Sequence, residues 1–232
     1  HGDPMKTLTR FNGLLFGLLI SGSALFAKSA GNTTANFLKV GVGGRGVAMG
    51  DAQTAAVEDV TGLYWNPAGL GGLTQKEMAF MHNNLVAGVT QDVLYYARPT
   101  AFLGVWGFGG NFLRVSGVDG YDAGDTPTGD VGASDSLLTL GWAKPWEDQR
   151  WFPGLQTGVN LKVLKKTLDN ESAVGYMADV GVLYKARGEW SQGLRTGLAL
   201  QNVGTGLDFE GEKTVFPTMI KAGASYSFYG DN

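Results

Sequence analysis

Residues 174–185 read VGYMADVGVLYK, and their side chains alternate: Val174, Tyr176, Ala178, Val180, Val182 and Tyr184 fall on one side, Gly175, Met177, Asp179, Gly181, Leu183 and Lys185 on the other. Period two over twelve residues predicts a β-strand, because successive side chains of an extended chain point to opposite faces. The same alternation sets Leu155, Thr157, Val159, Leu161 and Val163 against Gln156, Gly158, Asn160 and Lys162. It recurs over 194–201 and again over 220–228. Strands are expected at 77–84, 89–98, 101–115, 135–145, 154–167, 173–186, 193–203 and 217–228, which makes the chain all-β and antiparallel.

Alternation does not say which face turns inward. A soluble sandwich or barrel buries the apolar side, whereas a transmembrane barrel turns it to lipid. Three features favour the membrane. The polar sides are rich in Gly, Ser, Asn and Gln, not in the Lys, Glu and Thr of a water-facing sheet. Several expected strands run longer than the usual globular length of about 5–6 residues, and a tilted strand of about 9–11 residues crosses a bilayer. The connections also alternate in kind. Polar segments at 116–135, 168–172 and 204–214 are expected as outward loops, and shorter ones at 98–100, 144–154 and 186–193 carry Pro and Trp. Trp146, Trp151, Phe152, Tyr184, Trp190, Phe228 and Tyr229 would then form an aromatic girdle at the membrane interface. On the competing architecture they are ordinary core or hairpin residues. The polar faces offer Asn160, Lys162, Asp179, Arg195 and Gln201 as lumen-facing candidates.

Upstream of the strands the chain changes character. His1–Pro4 precede the first methionine and read as an upstream extension, and 5–27 read as an export signal. Lys6 and Arg10 give its positive start, Gly13–Ile20 its apolar run, and Ala24 or Ala27 its cleavage position. That run is shorter than the roughly 20 residues a spanning helix needs. Residues 28–75 are small and Gly/Ala-rich, and Gly41, Gly43 and Gly46 spell a G-x-G-x-x-G. No βαβ unit surrounds these glycines, so they carry no dinucleotide reading. They suit instead a backbone that packs closely against its surroundings. Asn66 before Pro67 is placed to cap a short helical turn after Tyr64 and Trp65.

Composition narrows the chemistry. The 232 residues carry a net charge of -3, 37 glycines, two histidines and no cysteine, so neither a basic footprint for nucleic acid nor a thiol for catalysis or lipidation is present. His82 would be the one histidine of a chain cleaved at the expected position, beside Asn83 and Asn84, and reads as a hydrogen-bonded interface residue. No nucleophile motif or metal-ligand spacing occurs, and Asp119, Asp122, Asp125, Asp130 and Asp135 lack EF-hand spacing. No enzyme, metal or cofactor is expected.

Residues 44–73, GRGVAMGDAQTAAVEDVTGLYWNPAGLGGL, carry Arg45, Met49, Gly50, Asp59 and the run Tyr64, Trp65, Asn66, Pro67, Ala68, Gly69. This segment resembles the N-terminal signature of the PorV/PorQ family, related to the FadL-like transporters of hydrophobic compounds. Further similar segments lie at 121–135, 158–166, 178–186, 198–204 and 215–228. The resemblance implies an outer-membrane β-barrel with residues 28–75 as a hatch in its lumen. Arg45 would there either pair with a lumen acid such as Asp179 or stay solvated. It implies a larger barrel than the roughly eight strands present, so that residues 76–232 would be the incomplete wall of a C-terminally truncated fragment. It further implies a non-enzymatic role in protein secretion or surface attachment, binding exported cargo or its machinery. The alternative it implies is passive transport of a hydrophobic ligand, with outer-membrane lipid as surroundings in both cases.

Overall fold

The structure, a computed structural model, describes residues 34–86, 88–121, 124–146, 153–169, 171–187, 191, 193–209 and 212–228. The expected signal segment, Trp151, Phe152, Trp190 and Tyr229 lie outside the described residues.

Among the described residues ten strands form: β1 Glu77–Asn84, β2 Val89–Thr100, β3 Gly104–Tyr121, β4 Pro127–Pro145, β5 Leu155–Leu168, β6 Glu171–Lys185, β7 Leu194–Gly204, β8 Leu207–Phe209, β9 Glu212–Thr214 and β10 Met219–Tyr226. Eight of them make one antiparallel sheet in the order β1-β2-β3-β4-β5-β6-β7-β10, and β8 and β9 make a separate two-stranded ribbon. From β1 to β7 each strand pairs with its neighbour in the chain, and β10 joins β7 after the β8–β9 excursion, so the sheet is a meander with β1 and β10 at its two edges. Among the described residues it does not close.

Two expected loops are structured. Residues 116–135 are not a loop: β3 and β4 stay paired through Val118↔Val131 and Gly120↔Gly129. Pairing of β2 with β3 stops at Val89↔Val115, and that of β4 with β5 begins at Ala133↔Leu168, so the hairpin tip extends beyond its neighbours. A ribbon without a face to bury needs no apolar alternation, which is why periodicity gave no sign of it. Residues 204–214 are not an outward loop either. Leu207 and, just beyond, Phe216 are buried with Phe37, Leu38, Leu164 and Met177, so this excursion folds back over one face of the sheet.

The two faces of the sheet are buried in inverse order to a water-soluble sheet. Leu161 is 62% exposed while its neighbour Lys162 is 5% exposed, and Phe80 and Phe108 are 70% and 61% exposed. Register joins the apolar side chains into continuous rows. One runs Met78–Tyr96–Phe108–Leu140–Leu161 across β1 to β5. Another runs Trp106–Trp142–Val159–Val180–Leu200–Ile220 across β3 to β10. The opposite face carries rows of small and polar residues, among them Ala143–Gly158–Gly181–Ala199–Lys221.

Residues 34–76 cover that polar face. They contain a 3-10 turn at Asn36–Lys39, α1 at Gly44–Ala48, α2 at Gly62–Trp65 and a second 3-10 turn at Pro67–Gly72. The core lies between this segment and the sheet. In it Val57, Leu63, Trp65 and Leu70 meet Val93, Tyr95, Ala97 and Ala143.

Candidate functional site

The interface between residues 34–76 and the polar face gathers most of the buried polar side chains among the described residues. Its centre is LYWNPAGL, residues 63–70. A helix of four residues such as α2 has no internal partners for its last carbonyls, and the sheet supplies them. Asn160 Nδ2 donates to Leu63 O at 2.9 Å, and Gln201 Nε2 donates to Tyr64 O at 2.6 Å and to Trp65 O at 3.2 Å. Asn66 then redirects the chain. Its Oδ1 accepts from Ala68 N at 3.1 Å, and Pro67, whose fixed φ suits a helical start, opens the next turn. Its Nδ2 donates to Thr54 O at 2.8 Å and to Val182 O on β6 at 3.3 Å.

Small residues let these backbones meet. A Cβ on Gly181 would overlap Asn66 Oδ1, one on Gly158 the backbone of Pro67 and Ala68, and one on Gly197 the Thr54 carbonyl. Gly46 serves Trp65 in the same way, since a Cβ there would lie 2.6 Å from the indole ring. This contact, not a pyrophosphate, accounts for the last glycine of the G-x-G-x-x-G. Trp65 Nε1 donates to Val42 O at 2.9 Å, and the Tyr64 hydroxyl donates to Leu38 O at 3.0 Å. The two rings meet edge to face at 4.7 Å, and the Lys221 ammonium lies 5.3 and 5.1 Å from their centroids. Burial, with the charge of Asp51 adding to it, pushes the Tyr64 phenol above its ordinary range and keeps it a neutral donor.

Beneath this segment Lys162 and Asp179 form a buried ion pair at 2.6 Å. Asp179 also accepts from Asn202 N at 2.8 Å and Asn160 Nδ2 at 3.0 Å, while Lys162 donates to Asn202 Oδ1 at 3.1 Å. Such saturation is what makes a buried pair tolerable. A cavity of about 10 Å³ adjoins the pair, bounded by Tyr64, Tyr95, Thr139, Lys162, Gln201 and Asn202, and is of the size of one water.

A second charge cluster ties the segment to the sheet near one end. Glu58 pairs with Lys185 at 2.6 Å and with Arg195. Burial raises the Glu58 pKa, but the hydrogen bonds and charges of the two cations outweigh it and hold the carboxyl below its ordinary range. Asp59 accepts from Thr61 N at 2.8 Å and from the Thr61 hydroxyl.

Of the two places open to Arg45 it takes the solvated one: Asp179 is taken by Lys162, and Arg45 and Met49 lie exposed on α1 and just after it. Gly50 adopts a φ of 61°, open to glycine. Trp146, Tyr184 and Phe228 lie at one end of the sheet; Trp146 Nε1 donates to Thr157 Oγ1 at 3.0 Å and its ring carries Lys144 at 4.8 Å. Sequence reasoning missed Trp106 and Trp142, cross-strand partners at that same end. It also missed Glu58, Lys185, Asn202 and Lys221. Lys185 was open to detection, because alternation sets it on the face of Asp179, whereas Glu58 stands in a segment with no period to place it.

Three proteins of Treponema pallidum (strain Nichols), each described as a UPF0164 protein, are similar to the chain. One is 27% identical over 169 residues, 70% of this chain and 42% of the relative. A second is 24% identical over 195 residues, 79% of this chain and 46% of the relative, and a third is 28% identical over 142 residues, 60% and 42%. The chain thus spans less than half the length of the relatives it matches. These findings correct the PorV/PorQ and FadL-like assignment. The residues that suggested it, the small residues and NPAG, meet a local packing demand that any short segment laid on a glycine-lined sheet would share. A family model matches residues 20–215, and the chain belongs to the uncharacterised protein family UPF0164.

Proposed function

We propose that the chain forms wall and plug of a membrane-spanning β-barrel in a bacterial outer membrane, without enzymatic activity. The observation that carries this reading is the inverted burial of the sheet. Rows of Phe, Leu, Val, Tyr and Trp lie bare, while Lys162, Asp179, Asn160 and Gln201 are buried. In water such a face costs free energy across its whole area; against hydrocarbon it is the stable arrangement. Strands β2 to β7 run 11 to 19 residues, at least the roughly 9–11 a spanning strand requires. Trp106, Trp142, Trp146 and Tyr184 gather at one end, as aromatics do at a membrane–water boundary. No helix among the described residues is long and apolar enough to cross a membrane, and a strand-built span needs none.

In this reading residues 34–76 are the plug. Two activities suit a plugged wall: holding exported protein or its machinery at the surface, and passing hydrophobic small molecules. The bonds from Asn160, Gln201 and Asn66 fix the plug to the sheet. That favours the holding role, since passage would require the plug to leave. The test is fractionation of the whole protein expressed with residues 1–33 in place. Retention in the membrane pellet through an alkaline wash supports the wall reading, and recovery as a monodisperse soluble protein refutes it. In vesicles carrying the whole protein, entry of an apolar dye no faster than into protein-free vesicles supports the holding role, and faster entry supports transport.

A further inference from the structure

Lys185 ends β6 and Arg195 is the second residue of β7, and the register sets them directly opposite one another. Alternation puts both on the covered face, with Asp179 and Gly181 on one strand and Gly197 and Gln201 on the other. Like charges at directly opposed positions destabilise a sheet unless an anion lies between them. Here the anion is internal: the Glu58 carboxylate of the N-terminal segment bonds Lys185 through Oε1 and Arg195 through Oε2. One carboxylate bridging an ammonium and a guanidinium is the geometry with which such a pair takes a free oxyanion. All three side chains retain partial solvent access, at 35% for Glu58, 28% for Lys185 and 21% for Arg195, so a dissolved ion can reach them. Around Glu58 the segment is held to the sheet by two other polar bonds, Val60 N to Glu77 Oε2 on β1 at 3.0 Å and Ser225 Oγ to Ala55 O at 3.4 Å.

We infer that Lys185 and Arg195 form an oxyanion-binding site which the chain's own Glu58 occupies, so that a carboxylate or phosphate competing with Glu58 loosens residues 53–61 from the sheet. The two equilibria are linked: whatever binds the cation pair favours the loosened segment, and loosening favours binding by the same factor. The site does not depend on the surroundings of the bare face.

The chain has no cysteine, so Ala55→Cys, buried against the sheet, reports loosening through its rate of thiol labelling, and Ala48→Cys, exposed on α1, is the control. Acetate, inorganic phosphate and chloride are compared at equal ionic strength on the whole protein. Acetate, phosphate or both should speed labelling at position 55 over chloride by on the order of fivefold, the scale of a partly exposed ion network, and leave position 48 unchanged. Which of the two acts identifies the oxyanion. Glu58→Gln should label fast in chloride alone and bind phosphate about fivefold more tightly by calorimetry than the parent, while Glu58→Asp restores slow labelling. Equal rates in all three salts, or equal phosphate affinity of parent and Glu58→Gln, would overturn the inference.

Discussion

Asn66 makes three hydrogen bonds that together turn the chain, cap the following turn and tie the segment to β6. Asn66→Ala removes all three and leaves buried backbone groups at Thr54 and Ala68 without partners. It should lower stability by about 2–4 kcal/mol, measured by denaturant unfolding. Asn66→Asp keeps the acceptor but sets a buried carboxylate oxygen against the Thr54 and Val182 carbonyls, and should cost at least as much. At Glu58 the sign of the pH effect follows from its lowered pKa: the charged form is the one stabilised on folding. Its contribution is complete above the unfolded-state value of about 4.3 and is lost as pH falls through the lower folded value. Thermal unfolding across that acid range should therefore lose less stability in Glu58→Gln than in the parent. Of these two residues the sequence made only Asn66 legible, because Asn before Pro has a local geometric meaning, whereas the role of Glu58 depends on cations more than a hundred residues away.

At the scale of elements, the polar faces of β5 and β6 are organised by the Lys162–Asp179 pair. Lys162→Met leaves a buried carboxylate without its cation and should cost roughly 3–5 kcal/mol. The double variant Lys162→Met/Asp179→Leu should recover much of that loss in the same unfolding assay, and a double variant no more stable than the single one would contradict this account. Strand positions were readable wherever one face is apolar: β5 was expected at 154–167 and runs Leu155–Leu168, and β6 was expected at 173–186 and runs Glu171–Lys185. They were unreadable where both faces are polar, as in the β3–β4 tip, or where the strands are three residues long, as in β8 and β9. The burial of Leu207 and Phe216 over the sheet had no sequence signal, since two apolar residues in a polar segment define no period.

At the scale of the whole molecule, what meets the bare apolar face decides whether the sheet is a membrane wall. Leu161→Arg discriminates the surroundings by energy. In water the substitution of a side chain 62% exposed should shift stability by no more than about 0.5 kcal/mol. At the middle of a bilayer it should cost about 2–4 kcal/mol, measured by unfolding from lipid vesicles. The most direct measurement places nitroxide labels singly at Val159, Leu161, Val163, Tyr176 and Val180 in the whole protein reconstituted in bilayers and compares relaxation by dissolved oxygen with that by an aqueous nickel complex. The account predicts that all of these positions are accessible to oxygen and shielded from nickel; collision with nickel along the rows would contradict it.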